Sequence, residues 1–98
     1  RVARYSHQNG FHFQKIRISS ARTRWGSCSP KGRLSFTWRL VLAPLDVIDY
    51  VVVHELAHTQ IPNHSKIFWA RVAEIMPDYK KRLAWLKKNG RFLTLDGE

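Results

Sequence analysis

The sequence contains one cysteine, few acidic residues and no long hydrophobic run. Its single cysteine, Cys28, has no partner for an intramolecular disulfide, so the chain is not a disulfide-stabilised secreted scaffold. The longest apolar stretch, residues 47–53, is interrupted by Asp49 and is far shorter than the roughly 18 residues that a membrane-spanning helix requires. We therefore expect no membrane segment and a cytoplasmic location.

Acidic residues are scarce relative to basic ones. The chain has 7 Asp and Glu against 17 Lys and Arg, which gives a formal net charge of +10 at pH 7. Such an excess predicts affinity for polyanions or acidic partners, but it carries no information about the fold.

The length and hydrophobic content predict one domain that spans residues 1–98. Ninety-eight residues, of which 44% are hydrophobic and 12% aromatic, suffice for one modest core. Alternating apolar and polar positions predict three strands, at residues 11–19, 22–28 and 34–37, in a small antiparallel sheet that occupies about residues 11–40.

The second half of the chain has helical periodicity. We expect three helices over about residues 46–89, the first capped by Asp46 and the second by Asn63 or Ser65. The third begins at residues 77–78 and ends at residues 89–90. A sheet followed by helices predicts an α+β fold.

The first of these helices carries the sequence His-Glu-Leu-Ala-His at residues 54–58. Because residues four apart share a helix face, the rings of His54 and His58 can converge on one cation. Glu55 lies about 100° around the helix, where its carboxylate can reach a metal-bound water and act as general base. The spacing predicts a metal-activated water with Glu55 as its general base.

A catalytic metal site needs a third protein ligand. His64 follows the helix break at Pro62 and is the expected ligand, with Glu74 as the rival. We expect one Zn²⁺ ion, although three imidazoles also suit nickel, cobalt or iron.

Several motifs in this chain resemble those of the YgjP-like metal-dependent hydrolases, which belong with the SprT-like and other zincin-type zinc metallopeptidases. They are Arg24-Trp25-Gly26-Ser27-Cys28, the motif at residues 54–58, Asn63-His64-Ser65, Phe68-Trp69 and Met76-Pro77-Asp78-Tyr79. The resemblance covers about residues 16–86. It implies a zincin-like peptidase with metal ligands His54, His58 and His64 and with Glu55 as base. It also implies a sheet edge, near residues 25–28, that holds an extended peptide substrate.

The residue that stabilises the oxyanion is less well determined. Tyr79 is the favoured donor because it belongs to a family-like motif, and Tyr50 and Arg24 are the other candidates. Both tyrosines also lie on apolar helix stripes, where a role in the core is the alternative. Asp49 is a candidate for orienting a ligand imidazole.

A second hypothesis, from another class, is a basic nucleic-acid-binding module with a structural metal site. In the predicted sheet, arginines interleave with aromatic residues that suit stacked bases. These are Arg17, Arg22, Arg24, Arg33 and Arg39, with Trp25, Phe36 and Trp38.

Overall fold

The computed structural model describes residues 1–20 and 24–89, and it confirms the α+β class. The elements in chain order are α1 (Val2–Asn9), β1 (Lys15–Ser19), β2 (Gly26–Cys28), β3 (Arg33–Thr37), a 3₁₀ segment (Trp38–Leu42), α2 (Leu45–Ala57), α3 (Lys66–Ile75) and α4 (Tyr79–Asn89). Helix α1, which precedes the sheet, was not predicted. Gly10 ends it with a left-handed φ of 70°.

The sheet is mixed, so the expectation of a purely antiparallel sheet is wrong for one strand. Its order is β1-β3-β2. Strands β2 and β3 form the expected antiparallel hairpin, whereas β1 pairs with β3 in parallel. Strand β3 carries the buried Leu34 and Phe36 and therefore occupies the centre, with the two other strands on either side of it. The short strand β2 is consequently an edge.

Helix α2 lies at the centre of the molecule, in contact with β2 and with the other three helices. Every residue from Tyr50 to His58 is buried. Burial on all sides explains why the β-branched run at residues 51–53 is helical, because tertiary packing overrides its weak helix propensity. The helix follows Pro44 rather than an Asp46 cap and ends at Ala57.

Helix α3 begins at a side-chain cap. The Ser65 hydroxyl accepts a hydrogen bond from the Phe68 amide at 3.4 Å, which selects Ser65 over Asn63 as the cap. Helix α4 starts at Tyr79, close to the predicted position, and its expected stop at Gly90 lies outside the described residues. Within the described ranges, no helix is both long and apolar enough to cross a bilayer.

Asp49 joins α1 to α2. Its carboxylate lies 2.9 Å from the Arg1 guanidinium. Burial, together with the charge of Asp49 and a hydrogen bond to it, raises the pKa of the Tyr5 phenol. Because Asp49 is engaged with α1, its side chain does not orient a histidine, contrary to the role considered from the sequence.

Candidate metal centre

Three histidine side chains converge beside α2. The Nε2 atom of His64 lies 3.1 Å from Nε2 of His58 and 3.3 Å from Nε2 of His54. Among residues 1–20 and 24–89, this is the one group of three or more histidine, cysteine or acidic residues close enough to share a metal ion. Its ligand atoms all lie within 4.8 Å of one another.

The spacing of these nitrogens fits one transition-metal ion. A tetrahedral ion with metal–nitrogen bonds of about 2.0–2.1 Å places its ligand nitrogens roughly 3.3 Å apart. Helix α2 supplies His54, and His58 follows one turn later as the C-terminal cap residue of the same helix. Pro62 lies in the segment that brings His64 back to them.

Hydrogen bonds at the far nitrogens hold two of the three rings. His58 Nδ1 lies 3.0 Å from the Ile61 carbonyl oxygen. Because a carbonyl only accepts, the ring proton resides on Nδ1, which leaves the Nε2 lone pair for a cation. His54 Nδ1 lies 3.3 Å from the Tyr50 hydroxyl. Tyr50 thus contacts a histidine of the group, whereas the sequence placed it among core or oxyanion candidates.

The third ring, that of His64, is held by aromatic packing. It stacks on Trp69 with centroids 5.6 Å apart and planes inclined by 22°. The stack continues from Trp69 to Tyr79 at 5.3 Å and from Tyr79 to Tyr50 at 6.5 Å. The four-ring stack therefore connects His64 with the tyrosine that contacts His54.

The aromatic stack had only a partial signal in the sequence. Trp69 follows His64 by five residues, which is the available indication in the sequence that the two rings can meet. Tyr79 lies within the stack and is half-buried. Its role as an oxyanion donor stays a prediction.

Glu55 is fully buried and its side chain packs against Gly26 of the edge strand β2. A Cβ atom at Gly26 would lie 3.2 Å from Glu55 Cγ and 3.3 Å from Oε2. The missing side chain at Gly26 thus makes room for the carboxylate. This contact places the Glu55 carboxylate between α2 and the edge strand β2.

The remaining candidates lie outside the histidine group. Glu74, the rival third ligand, has a side chain that is 69% exposed and forms an ion pair with Arg71 at 2.9 Å. Cys28 is half-buried on β2 and is not a member of the group. Arg24 is exposed.

Comparison with known proteins decides the family. The model of the YgjP-like family, metallopeptidase domain, matches residues 1–89. The chain belongs to the YgjP-like family. The match covers all three histidines, Glu55 and the sheet, and it identifies the chain as a metallopeptidase domain.

The fold of this YgjP-like domain is also found in a solved structure. The crystal structure of the metallopeptidase zymogen of Pyrococcus abyssi abylysin aligns with a TM-score of 0.80 over 95% of each chain, at 21% sequence identity. At that identity the similarity concerns the fold alone. No curated protein matches the sequence significantly.

Proposed function

We propose that this domain is a zinc-dependent peptidase in which His54, His58 and His64 hold the ion and Glu55 is the general base. The observation that carries the proposal is the convergence of three Nε2 atoms, with separations of 3.1 and 3.3 Å, at a buried helix in a YgjP-like domain. When bound, a divalent ion supplies Lewis acidity that polarises a peptide carbonyl and makes water more acidic.

The number of ligands favours a catalytic over a structural ion. Structural zinc sites normally close with four protein ligands, whereas catalytic sites use three and keep a position open. Within the described part of the chain, no cysteine or carboxylate joins the three histidines. This observation disfavours the alternative of a binding module whose metal is only structural.

We assign the proton transfer to Glu55. It follows a candidate ligand directly in the sequence and is fully buried beside the sheet edge. In the proposed reaction its carboxylate takes a proton from the attacking water and returns it to the departing amine. The closed environment around Glu55 excludes bulk water that would weaken its interactions.

The edge strand β2 is the proposed platform for the substrate. The backbone groups of an edge strand can pair with an extended peptide, which then adds a strand to the sheet. Gly26 on this strand contacts Glu55, so a peptide paired with β2 runs close to the general base. Protein or peptide segments in an extended conformation are therefore the proposed substrates.

The variant Glu55→Gln tests the mechanism. It preserves side-chain size but cannot accept a proton, so we expect it to bind one metal ion per chain and to lose at least about 100-fold in peptide hydrolysis. Glu74→Gln is the matched control, because this exposed carboxylate lies outside the histidine group. Wild-type turnover by Glu55→Gln would contradict the proposal.

A further inference from the structure

The positive charge of the chain is concentrated in its first half. Residues 1–45 contain nine Lys and Arg and no acidic residue, whereas the remaining residues contain eight basic and seven acidic ones. The first half forms α1, the sheet and the 3₁₀ segment. Residues 1–45 therefore carry a formal charge of +9 out of the net charge of +10.

Strand geometry directs the basic side chains of the strands to one face of the sheet. Leu34 and Phe36 of β3 are buried against the helices, so the alternating Arg33 and Ser35 point to the opposite side. The register places Arg17 of β1 next to Ser35. It also places Ser27 of β2 next to Ser35, which completes a polar row across all three strands.

Two adjoining hollows lie on this outer side, with volumes of about 320 and 470 Å³. They share Arg17, Arg24, Ser27 and Ser35. The larger hollow is also lined by Lys15 and Arg33. We call these six residues the basic face.

The four cations of the basic face are exposed, and no acidic residue lines either hollow. The ion pairs found in the described ranges involve Asp49, Glu74 and Asp78, all of which lie in the helical half. The basic face is therefore a surface of one charge sign with hydroxyl groups between its cations.

We propose that the basic face binds the phosphodiester backbone of nucleic acid. Arginine, lysine and serine side chains are the usual donors to phosphate oxygens, and nucleic-acid interfaces are more polar and more positive than protein interfaces. An acidic protein is the less favoured ligand, because the centre of a protein interface normally holds aromatic or aliphatic anchors. No exposed apolar side chain lines the two hollows.

The binding mode differs from the base stacking that the sequence suggested. Trp25 and Phe36 are each only 5% exposed, and Phe36 points to the helix side, so neither ring is available to a base. Trp38 is exposed, but it lies in the 3₁₀ segment and lines neither hollow. Arg22 lies outside the described residues. Without stacking platforms, we infer contacts to phosphates alone, with little preference for base sequence and no requirement for a single strand.

The number of cations sets the expected salt dependence. Four phosphate contacts predict a slope of log K against log salt of about −3.6 for duplex DNA. Raising the salt concentration from about 50 to about 200 mM would then weaken binding roughly 100-fold. Fluorescence anisotropy with labelled 20-base-pair duplexes of two unrelated sequences measures this slope, and both sequences should give the same value.

A pair of double variants locates the surface. The double variant Arg17→Gln/Arg24→Gln should lower the absolute value of the slope by about 2, since each phosphate contact contributes about 1. Lys80→Gln/Lys81→Gln removes the same charge from exposed positions on α4 and should leave the slope almost unchanged. Equal slopes for the two doubles, or a slope near zero for the parent, would overturn the proposal.

A competition experiment separates the two ligand classes. Unlabelled duplex and polyglutamate are compared by their concentrations of negative charge. On this scale the duplex should displace the labelled probe at a much lower concentration than polyglutamate does. Equal displacement by polyglutamate would overturn the nucleic-acid assignment and indicate an acidic protein instead. The salt titration, the double variants and the competition experiment all use Glu55→Gln as the parent protein. Their outcome therefore does not depend on whether the domain hydrolyses peptides.

Discussion

The close packing of Gly26 against Glu55 allows a direct test of how the proposed general base is positioned. Among the described residues, the glycines with positive φ are Gly10 and Gly32, so alanine at position 26 fits the backbone without strain. Its Cβ would lie 3.2 Å from Glu55 Cγ and 3.3 Å from both Glu55 Oε2 and Phe36 Cδ1. These separations are shorter than ordinary carbon contacts of about 3.5–4.0 Å, so Gly26→Ala should displace the Glu55 side chain by a few tenths of an ångström.

The expected loss of activity follows from that displacement. A misplacement of about 1 Å can cost roughly 100-fold in rate. On a logarithmic scale, a shift of about 0.3–0.5 Å corresponds to a fall in kcat of roughly 4- to 10-fold. The extra methyl group should also lower the free energy of unfolding by about 1 kcal/mol through overpacking. Metal content should not change, because the three atoms nearest to the new methyl group belong to Glu55 and Phe36 and not to a histidine.

The assay combines kcat on a peptide substrate, metal content per chain and urea unfolding. Gly10→Ala is the control, because its φ of 70° also costs about 1 kcal/mol in an alanine but its Cβ would meet no atom within 4 Å. We expect Gly10→Ala to keep the wild-type kcat despite a similar loss of stability. The reasoning is refuted if Gly26→Ala is destabilised while its kcat equals that of the wild type.

Further predictions concern the residues that hold the histidine rings and the ion itself. Trp69→Leu removes the ring stacked on His64 and should weaken metal affinity about 10-fold. Trp38→Leu, at an exposed position, is the control and should keep the wild-type affinity. Equal affinities of the two variants in a metal-competition titration would contradict this prediction. Tyr50→Phe removes the hydroxyl beside His54 and should likewise weaken metal affinity about 10-fold, while the circular dichroism spectrum stays the same. An unaltered metal affinity would show that this contact does not orient the ring. Chelation should lower Tm in a manner that added Zn²⁺ reverses, since an ion that binds only the folded state stabilises it, and a constant Tm would argue against the site.

The convergence of the three histidines was predictable because its signals are local. The four-residue spacing of His54 and His58 defines one helix face, and Pro62 marks where the helix must stop before His64. A short sequence pattern also narrowed the cap of α3 to Asn63 or Ser65, and the structure selects Ser65. Such features depend on neighbours within one or two helical turns, which a sequence displays directly.

The pairing of β1 was not predictable in the same way. Whether β1 pairs with β2 or β3 depends on which strand occupies the centre of the sheet, and this is decided by the packing of Leu34 and Phe36 against the helices. Hairpin rules favoured antiparallel neighbours, and they hold only for β2 and β3. A strand of three residues, such as β2, has too few alternating apolar and polar positions for the sequence to show where the strand lies in the sheet.

The orienting contacts of the histidines fall between these cases. Tyr50 lies four residues before His54, so the same helical spacing that brings His54 and His58 to one face also places Tyr50 beside His54, although the sequence indicated Tyr50 only as a core or oxyanion candidate. The hydrogen bond from His58 to the Ile61 carbonyl oxygen depends on the backbone conformation after the helix, and no residue type in the sequence indicates it. The stack of Trp69 on His64 requires the position of α3 relative to the preceding loop, which only tertiary structure supplies.

The number of metal ions per chain is the most direct test of the central claim that three imidazoles share one ion. Elemental analysis should find one ion per chain in the wild type and in Glu74→Ala, whose carboxylate lies outside the group. His64→Ala should fall well below one ion per chain under the same dialysis, because two imidazoles hold a divalent ion much more weakly than three. Full occupancy in His64→Ala, or loss of the ion in Glu74→Ala, would contradict the assignment of His64 as the third ligand.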